Sequence, residues 1–155
     1  MGAAPAPGAG GATTVGGVAA ALQGVPTHTF DVDVVHARDA ENARRLTAVL
    51  RSLEACYRDH LPKRLQPREE DFRLDGHHLL WTRLGPLDLL GRIAGEKGYE
   101  NIIDRAALTD LGHGLRVHVL DLEVLVEVKE ALGRDKDRAQ LPEYRRTLEE
   151  RRRST

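Results

Sequence analysis

Cysteine is nearly absent from this sequence, and long apolar runs are missing altogether. Only Cys56 occurs among the 155 residues, so no disulfide can form within the chain. A single cysteine fits a reducing cytoplasm, and we expect Cys56 to be a buried structural thiol on the apolar side of a helix. No segment is apolar enough to cross a bilayer, so we expect no membrane partner.

Charge of one sign is not in excess either. The formal net charge is −1 although 30% of the residues are charged, so no overall basic field draws the chain to nucleic acid or to an anionic membrane. Arginines cluster near the end, at 145–146 and 151–153, but three glutamates dilute them. A solvated helix end is the preferred interpretation, with local RNA contact as the minority alternative.

Motifs of several enzyme and metal-binding classes are missing. The chain contains no Gly-x-Ser-x-Gly, no phosphate loop ending in Gly-Lys-Ser/Thr and no dinucleotide glycine fingerprint. Seven histidines are present, yet none forms a pair with helical i, i+4 spacing at a credible site. His77 and His78 are adjacent and would point to opposite faces of a strand. We therefore expect no zinc site.

The length predicts one domain with a proper core. We expect a disordered Ala/Gly/Pro leader at 1–11, because such a segment buries too little apolar surface to offset its ordering entropy. The single domain would span 12–150, and a basic tail would follow at 151–155.

Strand and helix patterns alternate along the domain and predict an α/β or α+β fold with one mixed sheet. Asp39 and Gly133 have the properties of a helix N-cap and a left-handed helix end. The predicted strands are 13–15, 28–36, 87–90 and 115–120, with a hairpin of 72–74 and 77–84 around Asp75-Gly76. The predicted helices are 18–23, 40–60, 122–132 and one from 136 onward that is interrupted or restarted at Pro142, while 99–105 is a loop or short helix.

The most informative feature is the pair of carboxylates in Thr29-Phe30-Asp31-Val32-Asp33. Residues two apart in a strand point to the same face, so Asp31 and Asp33 would project together while Phe30, Val32 and Val34 face the other way. Carboxylates that close repel each other unless a cation or proton lies between them, and Mg²⁺ uses one or two carboxylates together with substrate phosphates. The alternative is a strand whose solvent face happens to carry two aspartates.

A basic residue on an apolar helix face is the second candidate feature. Lys129 falls inside the apolar arc of the predicted helix 122–132, so its ammonium must reach water or meet a negative charge. A nucleoside triphosphate would supply that charge. Arg134 and Lys136 follow on the next turn, where they would extend a phosphate-binding surface or simply cap two helices.

In this order, these elements resemble the signature of the DNA polymerase β-like nucleotidyltransferase superfamily, in particular small bacterial nucleotidyltransferase-like proteins related to abortive-infection-type toxins. The resemblance spans 13–148. Its motifs are Val15-Gly16-Gly17 with Gly24, Thr29-x-Asp31-x-Asp33, Gly85-Pro86-Leu87-Asp88-Leu89-Leu90, Val119-Leu120-Asp121-Leu122-Glu123-x-Leu125-Val126-x-x-Lys129 and Gly133-Arg134-x-Lys136-Asp137.

The resemblance implies a nucleotidyltransferase fold and a role for each motif. Asp31, Asp33 and Asp88 would hold Mg²⁺ or Mn²⁺ with the nucleotide phosphates, and Asp88 would help to deprotonate an acceptor hydroxyl. Gly16 and Gly17 would let backbone amides approach the phosphates. Lys129, with Arg134 and Lys136, would neutralise the triphosphate.

The function that follows is transfer of a nucleoside monophosphate from an NTP to an RNA end, a protein hydroxyl or a small molecule. The alternative is a non-catalytic module of the same fold that binds nucleotide or serves in a toxin–antitoxin pair. Retention of all three carboxylates favours the enzyme. The reduction of the segment before the glycines to 13–15 favours the module. RNA binding without chemistry rests only on the terminal arginines, and the near-neutral charge argues against it.

Overall fold

The structure, a computed structural model, describes residues 10–155. The predicted leader therefore lies outside the described residues except for Gly10 and Gly11, the second of which accepts a hydrogen bond from the Ala37 amide at 2.7 Å. The elements in chain order are β1 (Ala12–Val15), α1 (Gly16–Leu22), β2 (Val32–His36), α2 (Ala40–Ser52), β3 (Cys56–Tyr57), β4 (His77–Thr82), β5 (Gly85–Leu90), α3 (Tyr99–Ile102), β6 (Ala106–Asp110), β7 (Arg116–Leu120), α4 (Leu122–Leu132) and α5 (Asp135–Arg153).

The strands form one mixed sheet, as predicted. The described residues contribute seven strands in the order β3-β4-β5-β2-β1-β7-β6. Two neighbouring pairs are parallel, β2 with β5 and β1 with β7, and the other four pairs are antiparallel. Because β2 and β5 are far apart in sequence, their parallel pairing joins the N-terminal motifs to the middle of the chain.

The sheet has a core on each face. Consecutive side chains of β2 point to opposite faces, so Val35 packs with α1, α4 and α5 while Val34 packs with α2. The first core includes Ala19, Leu125 and Tyr144. The second includes Ala43, Leu50, Phe72, Leu80 and Leu89. The two cores thus cover both faces of the central strands, except at the strand ends that carry the carboxylates.

Two helix-end predictions are confirmed. The Asp39 carboxylate accepts a hydrogen bond from the Asn42 amide at 3.0 Å at the start of α2. Gly133 ends α4 with a φ of 58°. At the start of α4, the Asp121 side chain makes no capping hydrogen bond, and the Leu122 amide donates to the side chain of Gln23 at 2.9 Å. Gln23 thus ties the end of α1 to that helix.

The predicted helix 40–60 is too long. Helix α2 ends at Ser52, Glu54 turns the chain with a φ of 54°, and Cys56–Tyr57 forms β3. Cys56 is buried as predicted, at 3% exposure, but it lies in a strand. Pairing of this segment with β4 outweighs its helical pattern, because tertiary contacts routinely override local propensity.

The predicted hairpin is also wrong. Residues Glu69–Arg73 form a 3₁₀ turn that buries Phe72, and the actual hairpin joins β4 to β5. The strand β6 was missed, and β2 begins at Val32 instead of residue 28. Helix α5 continues through Pro142 without interruption, since Leu141 and Tyr144 on either side are held in the first core.

Within residues 10–155, no helix combines enough length with enough apolar character to cross a bilayer.

Candidate metal centre

Two of the three predicted carboxylates are neighbours in the sheet. Asp33 of β2 is paired in parallel register with Asp88 of β5. On its other side Asp33 is paired with Val15 of β1, and Asp88 is paired with Leu79 of β4. Side chains of directly paired residues share one face of the sheet, so four strands bring these residues into one row.

The third carboxylate reaches the same place from outside the strand. Asp31 precedes β2, so the prediction that it lies within the strand is wrong, and Phe30 before it is 91% exposed. The Thr29 hydroxyl donates to the Asp31 carbonyl at 3.0 Å and lies 3.3 Å from its carboxylate, which shapes this turn. Carboxylate oxygens of Asp31, Asp33 and Asp88 all lie within 4.8 Å of one another.

Crowding and burial change the acidity of this cluster. The pKa of Asp33 is raised from 3.8 to about 7, first by burial and then by the charges of Asp31 and Asp88. Burial also raises the pKa of Asp88, although Arg58 opposes that rise. The cluster therefore binds a proton or a cation more readily than isolated aspartates do.

Arg58 is part of the site and sequence reasoning missed it. Its guanidinium donates to the Asp88 carboxylate at 2.6 Å and to the Leu80 carbonyl at 3.4 Å. The residue falls inside the predicted helix 40–60, whereas the chain in fact turns after β3 and brings the Arg58 guanidinium to Asp88. Only a prediction that the helix ends at Ser52 could have placed Arg58 outside it.

The predicted glycines are close to the cluster. Gly16 has a φ of 64°, and a Cβ atom there would fall on a carboxylate oxygen of Asp33, closer than real Cβ atoms approach. A Cβ atom on Gly17 would lie 2.8 Å from the Cβ of Thr29. Glycine at these positions leaves room for Asp33 and for the Thr29 turn.

The predicted cation Lys129 has partners within the protein. Its ammonium donates to Gln140 at 2.7 Å and to Asp137 at 3.2 Å, and it lies 4.8 Å from the ring centre of Tyr144. The buried Asp137 also accepts from Arg134 at 2.6 Å. Burial alone would raise the pKa of Asp137, but the hydrogen bonds from Arg134 and Lys129 outweigh it and hold that pKa below its ordinary value.

The connection between α4 and α5 nevertheless lies near enough to the carboxylates for charges to act between them. The charge of Lys136 lowers the pKa of Asp33, against the larger effects that raise it. The hydrogen bond that Arg134 donates to Asp137 raises the pKa of Arg134, and the charge of Asp33 adds to that rise. Lys136 forms no ion pair within residues 10–155, so it is the predicted cation that stands free near the cluster.

The donor set suits a hard divalent cation. All three residues offer carboxylate oxygens, which are the ligands that Mg²⁺ and Mn²⁺ prefer. A cation would also relieve the repulsion from Asp31 and Asp88 that, after burial, raises the pKa of Asp33. Asp31, Asp33 and Asp88 can therefore hold a metal ion, with Arg58 fixing the outer side of Asp88.

No family model matches this chain, and no curated protein sequence matches it. What the protein does is therefore inferred from its residues and their positions.

Proposed function

We propose that this protein has the nucleotidyltransferase fold and transfers a nucleoside monophosphate from an NTP to an acceptor hydroxyl, with release of pyrophosphate, using Mg²⁺ or Mn²⁺. The observation that carries the proposal is the convergence of Asp31, Asp33 and Asp88 to within 4.8 Å, Asp33 and Asp88 from two parallel strands and Asp31 from the turn before β2. The close packing of Gly16 against Asp33 supports the proposal, because two of the motifs that carry the resemblance then lie side by side in space.

Each residue has a role in this proposal. The three carboxylates hold the cation together with the nucleotide phosphates. When bound, the cation stabilises the entering and leaving oxygens of an in-line phosphoryl displacement. Lys136 approaches the phosphates from the start of α5. Asp88, whose raised pKa suits a proton acceptor, takes the proton of the acceptor hydroxyl while Arg58 holds its carboxylate in place.

A non-catalytic nucleotide-binding or toxin–antitoxin module is the second candidate. The observation that favours it is the engagement of Lys129 with Asp137 and Gln140. A lysine already neutralised in this way has little charge left for a triphosphate, and Arg134 is paired with the same Asp137, so Lys136 would have to supply that charge. For either function we propose a cytoplasmic location, which suits the single free cysteine.

Thermal unfolding with each NTP, with and without Mg²⁺, tests nucleotide binding. A ligand present at one hundred times its dissociation constant stabilises a protein by about 2.7 kcal/mol, which is worth several degrees for a domain of this size. We expect one or more NTPs to raise the melting temperature of the wild type only when Mg²⁺ is present. The shift should vanish in Asp33→Asn.

Asp104→Asn is the matched control, because Asp104 is exposed and lies outside the cluster. It should keep the full shift. A labelled α-phosphate then separates the two candidates, since only the enzyme moves that label onto an acceptor. An NTP shift that needs no metal, or that survives in Asp33→Asn, contradicts the proposal.

A further inference from the structure

The two outer strands of the sheet differ in how well they are protected against pairing with another chain. At one edge, β3 consists of only two residues. At the other edge, β6 is paired with β7 over all five of its residues without a bulge, and no further strand of residues 10–155 lies beside it. Proteins commonly protect such an edge with lysine, proline or a bulge. The sequence of β6, Ala-Ala-Leu-Thr-Asp, contains none of these, and its one charge is on its last residue.

Alternate residues of β6 direct their backbone groups away from β7. Just beyond β6 the Leu111 amide donates to the Leu115 carbonyl at 2.8 Å, and just before it the Arg105 carbonyl accepts from the Asp121 amide at 2.8 Å. Hydrogen-bonded and non-hydrogen-bonded pairs alternate along an antiparallel ladder, so the odd-numbered residues of β6 bond to β7. The residues whose amides and carbonyls point outwards are therefore Ala106, Leu108 and Asp110. Within residues 10–155, these three make no backbone hydrogen bond outside the sheet.

The order of residues in β6 suits antiparallel pairing with a second copy of the same strand. When Leu108 lies opposite Leu108 of the second copy, Ala106 lies opposite Asp110. Every outward-facing residue of β6 then meets an outward-facing residue, and each such pair can exchange two hydrogen bonds. No like charges oppose each other in this register, whereas parallel strands in register would set Asp110 against Asp110.

The side chains along this edge support the same register. Leu108 is 42% exposed, and the two copies of it would lie on one face of the joined sheet and contact each other. Leu111 is 41% exposed and would lie opposite Arg105 of the second copy. The aliphatic stem of Arg105 can cover that leucine while its guanidinium stays close to Asp110. Exposed apolar surface and opposite charges are thus both matched at this edge.

We propose that β6 is the pairing surface for a second copy of this chain. Two copies would join edge to edge through antiparallel β6 strands centred on Leu108 and form one continuous sheet. Because β7 and β1 lie between β6 and β2, this pairing takes place away from the carboxylates of Asp31, Asp33 and Asp88. Pairing at β6 does not depend on the proposed function, and either can fail without the other.

Sedimentation equilibrium of the full chain over a range of concentrations is the first experiment. We expect a reversible monomer–dimer equilibrium for the wild type. Leu108→Lys should weaken dimerisation by about tenfold or more, because it removes an apolar contact and sets two ammonium groups against each other. Leu132→Lys is the matched control, since Leu132 is 44% exposed at the end of α4, and it should dimerise like the wild type. A wild type that stays monomeric at concentrations of up to about 1 mM overturns the proposal.

Cysteine cross-linking tests the register. In a hydrogen-bonded antiparallel pair the two Cα atoms are about 5.5 Å apart, which a disulfide can span. Leu108→Cys should therefore form covalent dimers under mild oxidation. Ala107→Cys is the control, because Ala107 is also exposed but would lie opposite Thr109 of the second copy. Equal cross-linking of both variants, or none of Leu108→Cys, overturns the pairing centred on Leu108.

Amide hydrogen exchange followed by NMR distinguishes edge pairing from any other dimer. The amides of Ala106, Leu108 and Asp110 should be protected at concentrations where the dimer forms and should exchange quickly after dilution. The amides of Ala107 and Thr109, which bond to β7, should be protected under both conditions. A dimer in which dilution leaves the exchange of the three outward-facing amides unchanged overturns the proposal and assigns dimerisation to another surface.

Discussion

Replacing Asp33 by asparagine should stabilise the metal-free protein, although the residue belongs to the functional cluster. The pKa of Asp33 rises from 3.8 to about 7 on folding, first because of burial and then because Asp31 and Asp88 repel it. A pKa change of one corresponds to 1.36 kcal/mol, so the ionised form would cost about 4 kcal/mol in a dry site. Asp33 is only partly buried, and solvent screening reduces that cost to roughly 1–3 kcal/mol.

The sign and the pH window follow from the direction of the shift. Asp33 is easier to protonate in the folded state than in the unfolded state, so its penalty is absent below about pH 4. The penalty grows as the pH rises to about 7 and stays constant above that. Asparagine carries no charge at any pH, so the difference between Asp33→Asn and the wild type should follow this course.

Urea unfolding of both proteins in the presence of a chelator, at a series of pH values from 4.5 to about 8.5, measures the difference. We expect the two to be nearly equal at the acid end and Asp33→Asn to be more stable by roughly 1–3 kcal/mol at the alkaline end. Added Mg²⁺ should then stabilise the wild type alone. A variant that is less stable than the wild type at pH 8 without metal would show that Asp33 is structural.

Other substitutions test the packing around the site and the second core. Gly16→Ala should lower the free energy of unfolding in urea more than Gly114→Ala does. Both glycines have positive φ, but only at Gly16 would a Cβ atom lie against Asp33. Equal losses would contradict the close approach of Gly16 to Asp33. Burial lowers the pKa of His36 and His78, so both contribute stability above about pH 6.5 that is lost as the pH falls below it. His78→Gln in the Asp33→Asn background should therefore lose less stability between pH 7 and pH 5, and an unchanged slope would contradict this.

The sequence was most informative where local chemistry decides the conformation. Asp39 and Gly133 were predictable as helix ends because a carboxylate that accepts an amide hydrogen bond and a left-handed glycine act within one turn. Asp31 and Asp33 were predictable as a pair because carboxylates are rare so close to a strand. Asp88 could be joined to them only through the resemblance, since nothing local reveals that β5 pairs with β2.

The sequence was least informative where long-range pairing decides. The segment after Ser52 has a helical pattern, but β4 recruits Cys56–Tyr57 as an edge strand and thereby directs Arg58 to Asp88. The strand β6 exists because it pairs with β7, and most of its side chains are exposed, so it lacks a strong apolar pattern. Partners distant in the chain govern both features, and a single sequence does not show them.

Direct titration with Mn²⁺, followed by the loss of its free electron paramagnetic resonance signal, tests the central claim that Asp31, Asp33 and Asp88 form a divalent-cation site. We expect saturable binding to the wild type and to Asp104→Asn. Asp33→Asn and Asp88→Asn should both bind far more weakly while remaining folded. Equal affinity for all four proteins, or no saturable binding to the wild type in the presence of NTP, would contradict the account.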